Sequence, residues 1–203
     1  LNPHIKQDNF LGASQFSDAV TDDSRLVMRV LNEATHDGVH AINYLKAESL
    51  ITNEQGLVVG AILEDTASQD SSHTYDVRAK VVVSATGAWA DTLRMQASKQ
   101  TAQTFHKQIR PSRGSHLVVS QERLPLNQAY TFLHPVDKRA IFVFPWENRT
   151  VLGTTDLDHP PLDETEVGIT NAEVDYLLTA TNDLFDDIDI SRKDVISSWA
   201  GVR

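Results

Sequence analysis

The sequence predicts an α+β fold with a mainly antiparallel sheet. Strand-like segments outnumber helical ones. The connections between consecutive strands are too short for parallel crossovers, so neighbours should pair antiparallel. The texture also changes near Gln108, from a mixture of helix and hairpin to a succession of short strands. At 203 residues, with 40% hydrophobic and 23% charged residues, the chain can bury one core or two small ones and lacks the makeup of a disordered segment.

The first element is a helix in "TDDSRLVMRVLNEATHDG". Thr21 or Asp22 can cap it, Leu26, Val27, Val30, Leu31 and Ala34 form one apolar face, and Gly38 stands where helices commonly stop. "VHAINYLKAESLITNEQG" turns at residues 53–56 and is answered by "LVVGAILED", which reads as a hairpin. The polar patch "TASQDSSHT" is a loop, and "YDVRAKVVVSATG" returns as a strand pair. Its β-branched run before Ala85 suits a strand buried on both faces. "AWADTLRMQ" opens a short helix after Gly87, and the stretch 97–108 is the best internal boundary, dividing 1–97 from 108–203. Beyond it, "SHLVVS", "QAYTFLH", "RAIFVFPW" and "RTVLGTTD" are strands. A helix over residues 171–184 turns Val174, Leu177 and Leu178 inward, and residues 194–203 close as another strand.

A net charge of −10 argues against nucleic acid as a partner, since phosphate-backbone binding relies on clustered Lys and Arg. With no cysteine there is no disulfide framework, thiolate nucleophile or cysteine zinc site. No stretch has the apolar length to cross a bilayer, and no signal peptide is visible. The chain opens on Leu1 and stops on Arg203 within a strand-like segment, which is expected of a piece of a longer protein.

Three motifs could carry chemistry. In "VVVSATGAWA", Thr86 offers a hydroxyl and Gly87 lets backbone approach a ligand, just where a helix presents free N–H groups to an anion. The same pattern suits a plain strand-to-helix turn. "RPSRGSHLVVS" sets Arg113 and His116 around Gly114 before a strand, as an anion holder and a general base or else as an exposed basic turn. "SSWAGVR" places Arg203 at the end of an apolar strand, where it needs a carboxylate or phosphate partner; a structural ion pair would also serve. Asp156, Asp158 and His159 in "TTDLDH" precede Pro160-Pro161 and read as a turn rather than a metal site, and "DLFDDIDISRKD" lacks the glycine and glutamate of a calcium loop.

Taken in order, "FSDAVTDDSRLVMRVLNEATHDG", "VVVSATGAWAD", "RPSRGSHLVV", "FVFPWENRTVLGTTD" and "WAGVR" resemble the aerobic, FAD-dependent glycerol-3-phosphate dehydrogenases, within the D-amino-acid-oxidase-like flavoproteins, over essentially the whole chain. The resemblance implies that 1–97 is part of an FAD-binding domain and 108–203 the substrate-binding sheet region. It implies flavin contacts at Ala85, Thr86, Gly87 and Trp89, with Lys46 and Ala47 on the adenine side of the cofactor. His116 and Arg203 would be the catalytic pair lining the substrate pocket, Arg203 on the phosphate and His116 near the reacting hydroxyl, with Arg113 a further substrate contact. The implied reaction is oxidation of sn-glycerol 3-phosphate to dihydroxyacetone phosphate, with electrons passed to a quinone or to oxygen. A cytoplasmic enzyme attached to the inner face of the membrane, and a homodimer, are implied as well. The family's glycine-rich dinucleotide unit has no counterpart here, since no Gly-x-Gly-x-x-Gly occurs. The isolated chain is therefore expected not to retain FAD. The alternatives are a related amine or amino-acid oxidase, or a folded interaction module without activity of its own.

Overall fold

The computed structural model describes residues 2–8, 11–67, 73–100, 106–160, 162 and 167–203. Residues 68–72 of the expected polar loop and 101–105 of the expected boundary lie outside the described residues. The chain forms two compact units, one of Leu11–Ala85 and Ala90–Lys107, the other of Leu1–Phe10, Thr86–Trp89 and Gln108–Arg203. The residues before Leu11 and the turn at Thr86–Trp89 thus go with the C-terminal strands.

In the first unit, helix α1 (Asp23–His36) begins at Asp22, whose carboxylate accepts the Arg25 N–H at 3.0 Å. Its apolar face is uncovered: Leu26, Val27, Met28, Val30 and Leu31 are all exposed, and no residue of the helix is buried. Strands β1 (Leu45–Thr52), β2 (Val58–Asp65) and β3 (Thr74–Arg78) form an antiparallel sheet in that order. The β1–β2 turn is shaped by Asn53, whose side-chain oxygen accepts the N–H groups of Gln55 and Leu57.

Residues 81–85 correct the expected strand buried on both faces. Val81 is 74% and Val83 81% exposed, and no described strand pairs with the run. A strand buried on both faces needs neighbours to complete its ladder and layers to cover it. β3 ends at Arg78, and among the described residues no strand pairs with 81–85 to supply that ladder. Helix α2 (Ala90–Gln100) follows a 3-10 turn at Gly87–Trp89.

The second unit is built around β4 (Ser112–Ser120). Strands β5 (Tyr130–Leu133), β6 (Ala140–Trp146) and β7 (Arg149–Gly153) form an antiparallel ladder whose last member pairs with β4. The short β8 (Leu157–Asp158) continues along that same side of β4, and β9 (Val195–Val202) lies along the other. Helix α3 (Asn171–Leu184) starts with a reciprocal cap, the Glu173 N–H reaching the Thr170 hydroxyl while Glu173 accepts the Thr170 N–H at 2.9 Å. Its residues Leu177, Ala180 and Thr181 are fully buried.

β4 shows why one face of this sheet is core and the other is not. Arg113, Ser115, Leu117 and Val119 are buried, whereas Ser112, His116 and Val118 are only half-buried; Gly114, on their face, is the one buried exception. Period-two alternation sends the first set toward α3 and the second to the opposite face. Leu117, Val119, Ile141, Val143, Leu152, Leu177 and Phe185 make the core on the α3 side, each contributing roughly 1.5–3 kcal/mol by leaving water. The result is α+β, as the strand-rich pattern predicts. Among the described residues no helix is long and apolar enough to cross a membrane.

Candidate functional site

The face of the sheet away from α3 carries His116. Its cross-strand neighbours are Gly153 on β7 and Trp199 on β9, so all three share that face. The imidazole lies directly over Gly153: a Cβ there would overlap the ring, which is why only glycine fits. On the other side the Trp199 indole stacks on it, with ring centres 4.9 Å apart and planes 11° from parallel. Nδ1 of His116 is buried without a partner among the described residues. Burial, and then the nearby Arg203 charge, push the His116 pKa below its ordinary value. The ring is therefore neutral at neutral pH and able to take a proton.

Arg203 follows β9. Its backbone exchanges two 2.9 Å hydrogen bonds with Ser112. The side chain passes over Gly114, where a Cβ would stand 2.9 Å from Nη1, and donates from Nη2 to Asp156 Oδ1 at 3.1 Å. Asp156 also accepts the Ser112 hydroxyl, and its backbone carbonyl accepts from Arg139. The Ser112 hydrogen bond, then the charges of Arg203 and Arg139, hold the Asp156 carboxyl below the usual range against a smaller opposing effect of burial. Arg203 and His116, distant in sequence, thus share one face, and the Arg203 charge acts on the imidazole.

Arg113 corrects an expectation. It points to the α3 side, is 8% exposed, and forks onto Glu173 with Nη2–Oε2 at 2.8 Å and Nε–Oε1 at 3.3 Å. A buried guanidinium with a carboxylate partner is an internal tie, not an open anion site. Period-two alternation explains the outcome, because three positions along a strand put Arg113 and His116 on opposite faces. Glu173 also accepts from Ser115 Oγ at 2.8 Å, Thr155 Oγ1 at 2.9 Å, and the N–H and hydroxyl of Thr170 at 2.9 and 2.8 Å. Burial pushes its pKa up, but the hydrogen bonds from Thr170, Ser115 and Arg113 outweigh that and hold it at about 2.

The remaining residues singled out in the sequence lie apart from His116 in the chain. Lys46 on β1 pairs with Glu48 at 2.8 Å and Glu64 at 3.5 Å, and the hydrogen bond to Glu48 raises its pKa. Ala47 is exposed beside a bulge, and Ala85 is exposed. Thr86 is half-buried, its carbonyl accepting the Trp89 N–H at 3.0 Å. Gly87 has a left-handed φ of +55° with open space where a side chain would be, and Trp89 is 51% exposed. Asp158 goes to Arg110 at 2.5 Å, and His159 Nδ1 donates to the Pro160 carbonyl at 2.6 Å, so the "TTDLDH" side chains diverge. Pro161 lies outside the described residues. Sequence reasoning missed Trp199, Asp156 and Glu173 as parts of this region. Trp199 had a signal, since it shares the period-two face of Gly201 and Arg203.

A family model described as FAD dependent oxidoreductase (DAO) matches residues 1–203. The chain belongs to that family. Within it, the chain is 34% identical over 202 residues to an alpha-glycerophosphate oxidase of Streptococcus pneumoniae serotype 4, covering 99% of this chain and 32% of that protein. It is 37% identical to an alpha-glycerophosphate oxidase of Enterococcus casseliflavus, with the same coverage, and 35% identical to the aerobic glycerol-3-phosphate dehydrogenase of Bacillus subtilis, covering 99% and 34%. The structure is similar to that of glycerol-3-phosphate dehydrogenase from Bacillus halodurans complexed with FAD, with a TM-score of 0.80 and 40% identity over 90% of this chain and 35% of that one. The chain spans about a third of the length of the curated relatives it matches.

Proposed function

We propose that this chain is the substrate-side part of a flavoenzyme that oxidises sn-glycerol 3-phosphate to dihydroxyacetone phosphate. The observation that carries the proposal is the pairing of a neutral, half-buried His116 with the cationic Arg203 on one open face. The relatives named for glycerophosphate oxidation support it. In this reading Arg203 binds the phosphate and orients the glycerol chain, and His116 accepts the proton of the C2 hydroxyl. Trp199 and Gly153 hold the imidazole between them and limit water around it. FAD, when bound, supplies the acceptor for the hydride that leaves C2.

The residues present fit that cofactor. Around His116 the face offers the exposed rings of Phe142 and Trp199 and a glycine floor, which suits a planar aromatic group. Gly87 leaves its backbone open to a ligand, and Ala85, Thr86 and Trp89 flank it. Lys46 and Ala47 are the proposed adenine-side contacts. We read the electron acceptor as a quinone or oxygen, and the whole enzyme as a cytoplasmic homodimer attached to the inner membrane face. Fractionation with native mass measurement, and turnover with a soluble quinone against peroxide release, check those points.

The central test uses the full-length protein carrying this chain. It should oxidise glycerol 3-phosphate in preference to amines and amino acids. Arg203→Gln should lower kcat/KM for glycerol 3-phosphate strongly, since a charge-assisted contact is worth roughly 1.5–3 kcal/mol, while leaving the slow oxidation of unphosphorylated glycerol almost unchanged. Equal losses on both substrates would remove Arg203 from phosphate recognition.

A further inference from the structure

We infer that Asp156 is a positioning residue for Arg203, fixing the guanidinium in the orientation in which it meets the substrate's phosphate. The inference rests on the phosphate-binding reading of Arg203 given above. Arg203 needs such a partner. Its backbone is fixed by Ser112, but its side chain is 60% exposed and turns about several bonds, so an unheld guanidinium would sample many orientations. Among the described residues the one carboxylate that meets it is Asp156, whose Oδ1 lies 3.1 Å from Nη2. An exposed ion pair by itself orders little. This one differs because Asp156 is tied down in turn, its carboxylate by the Ser112 hydroxyl and its main chain by Arg139. Gly114 leaves room on that path, since a Cβ there would meet Thr154 Oγ1 first and then stand 2.9 Å from Arg203 Nη1. A guanidinium carries five N–H donors in a fork. Among the described residues Asp156 takes one, and the others remain for an anion.

Two effects oppose each other when Asp156 is removed. The loss of a negative charge beside the phosphate favours binding, while the loss of orientation in Arg203 disfavours it. Asp156 and Arg203 are both more than half exposed, so water and salt screen the first effect heavily. The second acts through direct hydrogen bonds from Arg203 and Ser112 to Asp156, which screening weakens less than a charge acting across solvent. Orientation therefore wins, and the substrate should bind more weakly without Asp156.

The test compares Asp156→Ala and Asp156→Asn in the full-length enzyme, alone and combined with Arg203→Gln. Asp156→Ala should raise KM for glycerol 3-phosphate about tenfold, a coupling of the size found within one ion-pair network. Its kcat should stay within about twofold of the parent, as expected when binding rather than chemistry is affected. Asp156→Asn keeps an acceptor for Ser112 and Arg203 and should fall between, and it decides the question if the alanine variant folds poorly. On the Arg203→Gln background neither change should raise KM further. A KM that falls in both Asp156 variants would show that repulsion dominates and overturn the inference. An undiminished effect on the Arg203→Gln background would overturn it as well, by showing that Asp156 does not act through Arg203. If Arg203→Gln alone leaves KM unchanged, the phosphate reading itself fails. That result differs from a failure of Asp156 alone, in which Arg203→Gln raises KM and Asp156→Ala does not.

Discussion

Replacing Glu173 by Gln should be the most destabilising isosteric change in the β4–β9 unit. The side chain is 1% exposed and accepts from Arg113, Ser115, Thr155 and Thr170. Glutamine keeps the volume but removes the charge and turns one acceptor oxygen into a donor aimed at other donors. Arg113 is then left buried without its counter-charge. Two routes to the magnitude agree. Breaking a buried ion pair by removing one partner costs about 3–5 kcal/mol. Holding a carboxyl at about 2 rather than its ordinary 4.5 corresponds to roughly 3 kcal/mol, at about 1.4 kcal/mol per pH unit. The sign with pH follows from the direction. A depressed pKa contributes stability that is fully present above the unfolded value near 4.5 and is lost as pH falls toward about 2. Urea unfolding followed by tryptophan fluorescence should therefore show Glu173→Gln less stable by roughly 3 kcal/mol at pH 7, with the gap roughly halved at pH 3 and closing only as pH nears about 2. Replacing Arg113 by Met in the same chain should recover part of the loss, because no unpaired charge then remains. A variant within about 0.5 kcal/mol of the parent at pH 7, or a gap independent of pH, would refute the reasoning.

Three further outcomes are expected. His116→Ala in the full-length enzyme should cut kcat by about 10²–10⁴-fold, the usual loss for a general base, with bound flavin per subunit unchanged; near-normal turnover would end the assignment. Trp199→Leu should uncover His116 and let its pKa rise toward the ordinary value, since burial is the main cause lowering it. The acid limb of the kcat/KM profile then moves to higher pH, and an unmoved limb would separate Trp199 from His116. The isolated 203-residue chain should show no saturable binding when titrated with FAD up to about micromolar concentration, because it has no glycine-rich pyrophosphate turn and the cost of immobilising a large ligand remains; tight binding would refute this.

Local chemistry made much of the fold legible. Asp22 ahead of an amphipathic run announced α1, and the spacing of Val174, Leu177 and Leu178 announced α3. Short connections announced antiparallel pairing. The run at 81–85 shows where such signals stop. A β-branched stretch reports that it suits burial, but its cover comes from residues that its own pattern does not specify, and Val81 and Val83 stand exposed. The candidate site divides in the same way. His116 and Arg203 could be chosen from residue type and place, whereas the Arg113–Glu173 tie could not. A carboxylate at the third helical position looks like a cap from the sequence. Only the packing of α3 on β4 reveals that the same group holds an arginine 60 residues earlier.

The alternation along β4 also constrains how this region can change over time. One strand presents the Glu173 network through Arg113 and Ser115 on one side and His116 on the other. Point substitutions on the two sides act on different neighbours, so folding and substrate chemistry can drift separately. A single inserted or deleted residue within 112–119 is another matter, because it exchanges the two sides over the rest of the strand. It would turn an imidazole into the core and a charged fork toward the substrate in one step. Lineages and engineered libraries derived from this sequence should accordingly tolerate replacements along β4 but purge length changes there.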